Sequence, residues 1–412
     1  MESLVWVKDL QVSKTLVKFA KMIISDFFLT SIGVVVCFLL CKGMSTPKIH
    51  IPPEWEPHSR TCMVWPATPD IWGTPLFDKV REDIARIAKA ISPYEPVTLI
   101  VNPDQVSSAE SAFTSSDLQK ITIVPMPVDD LWARDTLPVF GVQTDQPPPQ
   151  EDGSPSPISK TLVGVDLNFN GWGNKKQVHA KDSNLAQTFL AHFNISRISS
   201  RIVGEGGSLE FDGDGTLLVT ESSLFNTNRN PSFGTRQELE QELMTVFGLE
   251  KIIWFKGVVG QDITDAHVDS LARFVRPGVV ILNRPPKGST EEDVWSKSSD
   301  EARSVLQATT DAKGRSFTIV ELYEPDRDKI VGMPPGTENE FLASYVNYLV
   351  VNGAVIMPQF GDTEADAEAK AVLALQYPGR TVVQVNISNL ASGGGGIHCA
   401  THDIPSLTSG DA

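Results

Sequence analysis

The chain has 412 residues, of which 41% are hydrophobic and 30 are glycine, a composition that supports a substantial core and excludes wholesale disorder. Lys and Arg number 35 against 51 Asp and Glu, and the net charge of −16 argues against nucleic acid as the main partner and favours cationic ligands. Four cysteines (Cys37, Cys41, Cys62 and Cys399) are too few for a disulfide framework, which indicates a reducing compartment.

The N-terminal segment differs from the rest of the chain. Residues 27–41 are mostly apolar, but this run is shorter than the roughly 20 residues of a membrane-spanning helix. One interpretation is a translation start at Met44, which leaves residues 1–43 as an extension outside a cytoplasmic catalytic domain, 44–412. The alternative is a membrane anchor within residues 22–42, and a signal peptide or an interfacial helix also stays open.

From about residue 50 onward, short β-branched runs alternate with amphipathic stretches. Strands are predicted at 97–101, 120–126, 161–169, 216–220, 251–255, 278–282, 316–322, 348–358 and 381–387. Helices are predicted at 75–91, 183–193, 236–248 and 362–377. This recurrence predicts one α/β domain built from several similar units. The Pro- and Ser-rich segment 144–159 is predicted to be a polar insertion, and 285–304 a surface excursion with a short helix.

The first segment that carries candidate chemistry is 128–140. It places Asp129, Asp130 and Asp135 beside Trp132 and Arg134, between apolar strands. A buried Asp135 beside Arg134 would stay ionised through pairing. The alternative is a purely structural Asp–Arg pair at a turn.

A second segment, 204–231, begins with Glu205 before two glycines that allow close approach of the backbone. Its sequence DGDG reads as a hairpin turn rather than a calcium loop, because the later ligands are missing. A polar cluster that includes Arg229 follows. That cluster is either a binding surface or an asparagine-rich turn network.

Of two further segments, one contains a histidine and the other contains an amide in a run that reads as buried. His267 and Asp269 are two positions apart, so an extended backbone would project both side chains to one face as a proton carrier and an anion. A metal would need a third ligand, and a structural histidine is the other alternative. Asn347 lies in a segment that otherwise reads as buried core.

The fifth segment carries Cys399 after four consecutive glycines and His398. Such a loop suits an exposed nucleophile better than a core residue, and a nearby cationic histidine would favour the thiolate. The alternative is a buried, inert cysteine. The sequence contains neither a P-loop motif nor a GxSxG elbow.

Taken in order, these motifs resemble those of a known family. They are IPPEWEPHSRTCMVWP (51–66), DDLWARDTLPVF (129–140), GWGNK (171–175), EGGSLEFDGDGTLLVTESSLFNTNRNP (205–231), HVDSLARFVRPGVVIL (267–282), ASYVNY (343–348), PQFGD (358–362) and GGGGIHCATHDIP (393–405). The set resembles the agmatine deiminases, within the bacterial-type (Porphyromonas-type) peptidylarginine deiminase family of the guanidine-modifying superfamily. The resemblance covers about residues 50–405.

The resemblance implies a fold and a set of site residues. The expected fold is a single-domain, five-bladed, pseudo-symmetric α/β propeller (pentein-like) with its active site in the central channel. The implied catalytic residues are Cys399 as nucleophile, His267 as acid and base, and Asp135 and Asp269 as a guanidinium clamp. The implied substrate-binding residues are Trp132, Glu205 and Asn347. Asp265-Ala266 stands where the family pattern has a small Asn-Gly pair.

The implied reaction is the hydrolytic deimination of agmatine to N-carbamoylputrescine and ammonia, a step of polyamine biosynthesis, through a covalent thiouronium. Two carboxylates suit the N–H edges of a planar cation, and the reaction needs neither a metal nor a cofactor. The alternatives are peptidyl-arginine deimination giving citrulline, amidinotransfer to an amine, and a catalytically silent, anchored binding protein. The expected partner is a small cationic guanidine; a homo-oligomer is left open.

Overall fold

The computed structural model describes residues 48–145, 159–290 and 292–407. The extension 1–43, Met44 and the anchor prediction lie outside the described residues, as does the polar insertion apart from its two ends. Across these three ranges, no helix is both long and apolar enough to cross a membrane. The residues from Ile49 onward form one compact unit.

Strands and helices alternate along the described residues. The strands are β1 (Lys48–His50), β2 (His58–Val64), β3 (Val97–Val101), β4 (Ile121–Pro125), β5 (Val139–Asp145), β6 (Ser159–Asp166), β7 (Ser196–Ser199), β8 (Glu210–Phe211), β9 (Thr216–Thr220), β10 (Lys251–Phe255), β11 (Ala272–Arg276), β12 (Val279–Arg284), β13 (Thr318–Tyr323), β14 (Leu349–Val351), β15 (Ala354–Gln359), β16 (Thr381–Asn386) and β17 (Thr401–Pro405). The α-helices are Pro69–Trp72, Thr74–Ile91, Val106–Ser111, Ala133–Thr136, Gly171–Asn174, Leu185–His192, Glu221–Leu224, Arg236–Phe247, Val294–Ala308, Thr363–Gln376 and Ser388–Ala391.

Within the described ranges, the strands form five sheets that share one plan. Each sheet contains an antiparallel pair whose second strand also pairs in parallel with a third: β5-β6-β7, β8-β9-β10, β11-β12-β13 and β14-β15-β16. In the remaining sheet, β17 supplies the antiparallel partner of β2, and β3 and β4 follow in parallel. This repetition confirms the α/β fold class and gives the five blades of the expected propeller.

The helices bury one face, as their sequence periodicity predicts. In Thr74–Ile91, the side chains of Val80, Ile84, Ile87 and Ile91 are fully buried, and each contributes roughly 1.5–3 kcal/mol to folding. The helix Arg236–Phe247 begins where Thr235 accepts a hydrogen bond from the backbone N–H of Glu238.

Two sequence predictions differ from the structure. The single strand predicted over 348–358 is wrong, because Asn352 and Gly353 form a two-residue turn between the antiparallel strands β14 and β15. The apolar run on both sides concealed that turn. The short helix expected within 285–304 is instead the 15-residue helix Val294–Ala308, whose N-terminus is capped by the Asp293 carboxylate.

Candidate active site

Each of the five sheets contributes one segment to the site, immediately before the first strand of its antiparallel pair. The helix Ala133–Thr136 precedes β5, the turn Gly206–Ser208 precedes β8, and the turn Val268–Ser270 precedes β11. Asn347 comes just before β14, and Cys399 just before β17. The pseudo-symmetry of the fold therefore brings together five segments that are far apart in sequence.

Cys399 is half-buried and is fixed by a neighbouring amide. Asn347 donates from Nδ2 to the Cys399 sulfur at 3.2 Å, and its Oδ1 accepts the Cys399 backbone N–H at 3.3 Å. The sulfur also lies 3.6 Å from Oδ2 of Asp269. Burial, together with the charges of Asp269 and Asp135, raises the pKa of the Cys399 thiol well above its usual range.

The glycine run before Cys399 is required by close packing. A Cβ on Gly395 would overlap the ring of Trp132, and a Cβ on Gly393 would overlap the ring of Trp72. The two tryptophan rings contact each other, with centroids 5.9 Å apart. The loop therefore lies directly against an aromatic wall.

His267 lies between two carboxylates. Its Nε2 is 3.1 Å from Oε2 of Glu205, and its Nδ1 is 3.7 Å from Oδ1 of Asp135. Burial lowers the pKa of His267, but the Asp135 charge and the Glu205 hydrogen bond outweigh it and raise that pKa to about 9. Glu205 in turn is paired with the buried Arg229 at 2.9 Å.

Asp135 is fixed by two donors. The indole Nε1 of Trp172 donates to its Oδ2 at 2.8 Å, and the backbone N–H of Gly207 donates to its Oδ1 at 3.1 Å. Burial and the charges of nearby carboxylates raise the pKa of Asp135 to about 6. Trp172 has a φ of 55°, an unfavourable left-handed conformation that places its indole against the carboxylate.

Asp269 is the other half of the acidic pair. His398 donates from Nδ1 to its Oδ2 at 2.8 Å. Although burial raises the pKa of Asp269, this hydrogen bond and the His398 charge lower it to about 2.

Three polar atoms converge beside Gly207. A Cβ built on this glycine would lie 2.7 Å from Nδ1 of His267, 2.9 Å from Oδ1 of Asp135 and 3.1 Å from Oδ2 of Asp269. The absence of a side chain at Gly207 therefore allows a histidine and two carboxylates to approach one point.

A cavity of about 1230 Å³ opens onto these groups. Of the predicted site residues, its walls include Cys399, His267, Asp135, Asp269 and Trp132. Glu205 and Asn347 are completely buried and contact catalytic groups instead of the cavity. In the described part of the chain, no cluster of three or more His, Cys, Asp or Glu side chains could hold a metal ion.

Two expectations about local pairing are wrong. Arg134 does not pair with Asp135; its guanidinium bonds Glu54 at 3.0 Å and Asp403 at 3.1 Å. Consecutive residues of a helical turn point in different directions, so neighbours in sequence need not pair. His398, the cation expected beside the thiol, bonds Asp269 and Glu54 instead.

The polar cluster after β9 is a buried network. Arg229 bonds Glu205 and, at 2.9 Å, Asp265. Asp265 and Ala266, the departure from the family pattern, both have positive φ angles, of 62° and 65°. An Asn-Gly pair adopts such angles more easily, so this chain carries backbone strain directly before His267.

Glu54 and Trp172 are parts of the site that residue-level reasoning did not single out. Both lie within quoted motifs, IPPEWEP and GWGNK, but neither has a partner at a recognisable spacing. Glu54 reaches His398 across 344 sequence positions. The one available signal was an acid, Glu54, between Pro53 and Trp55 in a proline-rich segment.

The comparisons with known proteins agree with this geometry and confirm the resemblance. The family model for Porphyromonas-type peptidyl-arginine deiminase matches residues 50–405. Agmatine deiminase of Medicago truncatula is 34% identical over 378 residues, covering 87% of this chain and 96% of that protein. The Pseudomonas fluorescens agmatine deiminase is 35% identical over 381 residues, covering 88% and 97%. The structure of Enterococcus faecalis agmatine deiminase superposes with a TM-score of 0.75 at 29% identity, covering 87% of this chain and 96% of that one. This chain therefore belongs to the Porphyromonas-type peptidyl-arginine deiminase family.

Proposed function

We propose that this chain hydrolyses agmatine to N-carbamoylputrescine and ammonia, a step of polyamine biosynthesis, through a covalent thiouronium on Cys399. The observation that carries the proposal is the convergence of Asp135, Asp269 and His267 on one point beside the thiol. The relatives from Medicago truncatula and Pseudomonas fluorescens, which carry the name agmatine deiminase, support agmatine as the substrate.

The two aspartates would act as the guanidinium clamp. A guanidinium is planar and presents N–H groups along its edges, which carboxylates bind in pairs. Asp135 and Asp269 are buried, so their attraction for a cation is only weakly screened. Trp132, which lines the cavity beside them, would cover the substrate.

The bound cation would also activate the nucleophile. Burial and the charges of Asp269 and Asp135 raise the pKa of the Cys399 thiol. A guanidinium between the two carboxylates compensates those charges, so substrate binding lowers that pKa and favours the thiolate. The reactive form would then arise where the substrate is present.

His267 would carry the protons of both steps. The Cys399 thiolate attacks the guanidinium carbon, and the C–N bond breaks as protonated His267 gives its proton to the leaving ammonia. Neutral His267 then takes a proton from water, which attacks the same carbon. The C–S bond breaks and returns the thiolate. We assign Glu205 to holding His267 and Asn347 to orienting the sulfur.

We place this activity in the catalytic domain 44–412, with residues 1–43 as an extension outside it. The thiols of Cys62 and Cys399 are both free, which supports a cytoplasmic location. A small cationic guanidine is the proposed partner.

The proposal is tested by ammonia release from agmatine, free arginine and a peptidyl-arginine, with the full chain and its Cys399→Ala variant. Release from agmatine, absent in the variant, is the expected outcome. Release from the peptide alone would support the same chemistry with peptidyl-arginine, instead of agmatine, as the substrate. Failure with all three, in protein shown to be folded, would contradict deimination of these substrates.

Peptidyl-arginine deimination is the second candidate because of the size of the cavity. Drug-sized ligands occupy roughly 300–1,000 Å³, and this cavity of about 1230 Å³ exceeds what agmatine alone requires. Its outer wall includes Trp295 and Tyr323, residues that a longer substrate would reach.

A further inference from the structure

His398 forms a bridge between two carboxylates beneath the site. Its Nδ1 is 2.8 Å from Oδ2 of Asp269, and its Nε2 is 2.9 Å from Oε2 of Glu54. The residue is buried, with 2% of its surface exposed. Both ring nitrogens therefore face carboxylate oxygens, and each serves as a donor.

Glu54 anchors the far end of this bridge. Its Oε1 accepts from Arg273 at 2.8 Å and from the backbone N–H of Val350 at 2.7 Å. Its Oε2 also accepts from Arg134 at 3.0 Å. A carboxylate with this many donors has a fixed orientation, so it fixes the histidine ring as well.

Neither member of this bridge reaches the substrate cavity. Glu54 and His398 line a separate cavity of about 50 Å³, and neither belongs to the walls of the large one. Apart from the peptide bond that joins His398 to Cys399, any effect of His398 on the reaction must therefore pass through Asp269. That atom path is direct, because the Asp269 Oδ2 bonded by His398 is also the oxygen 3.6 Å from the Cys399 sulfur.

We propose that His398, held by Glu54, is a positioning residue that fixes the Asp269 carboxylate in its clamp orientation. The inference rests on the proposed function in one respect, the role of Asp269 as half of the guanidinium clamp. Without the bridge, the carboxylate loses its strongest donor and keeps the longer 3.3 Å bond from the Ser270 hydroxyl, so its orientation is less fixed.

The charged environment of Asp269 shows why one donor matters. The titratable or charged groups that face it are His398, His267, Arg273, Cys399 and Asp135. His398 is the one that bonds the carboxylate through a side-chain N–H. Loss of this bond raises the pKa of Asp269 and weakens the constraint on its orientation.

Two substitutions separate the two halves of the bridge. In His398→Asn, the amide nitrogen occupies nearly the position of Nδ1, so the bond to Asp269 is retained and the bond to Glu54 is lost. In His398→Gln, the amide nitrogen occupies nearly the position of Nε2, so Glu54 keeps its donor and Asp269 loses it. The variants are similar in size and polarity, and each serves as the control for the other.

We expect His398→Asn to retain kcat/KM for agmatine within about tenfold of the parent, and His398→Gln to lose about 100-fold. Thermal unfolding of both variants reports on folding. Equal losses in the two variants, or a greater loss in His398→Asn, would overturn the positioning role.

A second readout does not depend on turnover. The cationic reagent 2-chloroacetamidine and the neutral reagent 2-chloroacetamide both alkylate a cysteine, and a carboxylate clamp favours the cation. The ratio of their rates at Cys399 should fall at least tenfold in His398→Gln and far less in His398→Asn. An unchanged ratio in folded His398→Gln would refute the inference. If agmatine is not a substrate, this ratio still tests the bridge.

Discussion

Two regions at the cavity contain the same four kinds of side chain in the same order. The first is Asp135, His267, Glu205 and Arg229, and the second is Asp269, His398, Glu54 and Arg273. They differ in how tightly the histidine is held. His267 Nδ1 is 3.7 Å from its aspartate and the ring lines the cavity, whereas His398 Nδ1 is 2.8 Å from its aspartate and the ring does not reach the cavity.

The difference separates two uses of a histidine–carboxylate pair. A histidine with one loosely engaged nitrogen that faces the cavity is able to exchange a proton with a substrate. A histidine with both nitrogens bonded to carboxylates has no free site for a substrate proton and instead fixes the orientation of its partners. The two regions have the same residue types, so composition does not distinguish the two uses of the histidine. The packing around each histidine does distinguish them.

The largest expected effect comes from removing the atom that both regions serve. Cys399→Ala should lower kcat by about 10⁴-fold or more, because no other group supplies the covalent step. Steady-state ammonia release measures the loss. Cys62→Ala is the matched control, since Cys62 lies in the core and should cost some stability but almost no activity. Full activity in the Cys399 variant would remove the nucleophile assignment.

The next effect tests the clamp in each region. Asp269→Asn and Asp135→Asn should each lower kcat/KM for agmatine far more than tenfold, because the cation then loses half of its charge partner. Both variants are assayed over a range of agmatine concentrations. A change below about threefold, near 0.7 kcal/mol, would count against the clamp role of that residue.

A smaller effect is expected from the loop that presents the sulfur. Gly395→Ala should lower kcat by roughly 10–100-fold, because the new Cβ overlaps Trp132 and displaces the nucleophile. Gly234→Ala, at a site where the nearest atom to a Cβ is 3.6 Å away, should leave activity unchanged. Comparable kcat values for the two variants would show that the packing of the loop does not matter.

The smallest expected effect is a shift in the pH dependence of kcat/KM, which tests the environment of His267. With Asp135 at a pKa of about 6 and His267 at about 9, kcat/KM should rise through pH 6 as the clamp ionises and fall through pH 9 as the acid is lost. In Glu205→Gln, loss of the carboxylate lowers the pKa of His267, so the basic limb moves to lower pH. The pH profile of kcat/KM measures this movement of the basic limb, with the surface variant Glu242→Gln as control. A basic limb that stays in place would exclude the Glu205 contact as its cause.

The sequence predicted the five segments that form the site, because each contains polar or catalytic residue types beside a strand. It also placed Cys399, His267, Asp135, Asp269 and Trp132 in a common site through their motifs, and all five line the cavity. Spacing did not predict the bonds of Arg134, because its partners Glu54 and Asp403 are 80 and 269 positions away. Contacts of this range depend on the closed ring of sheets rather than on local periodicity.

The pairing of β17 with β2 has a consequence for biosynthesis. Ser59 and Ile404 are bonded across 345 positions, and Cys399 lies two residues before β17. A nascent chain on the ribosome will have made most of the sheets before this strand emerges. Because Cys399 follows Asp135, His267 and Asp269 in the chain, the thiol is synthesised after the carboxylates and the histidine that surround it. A partly synthesised chain that stops before Cys399 therefore carries the histidine and carboxylates of the site without the thiol.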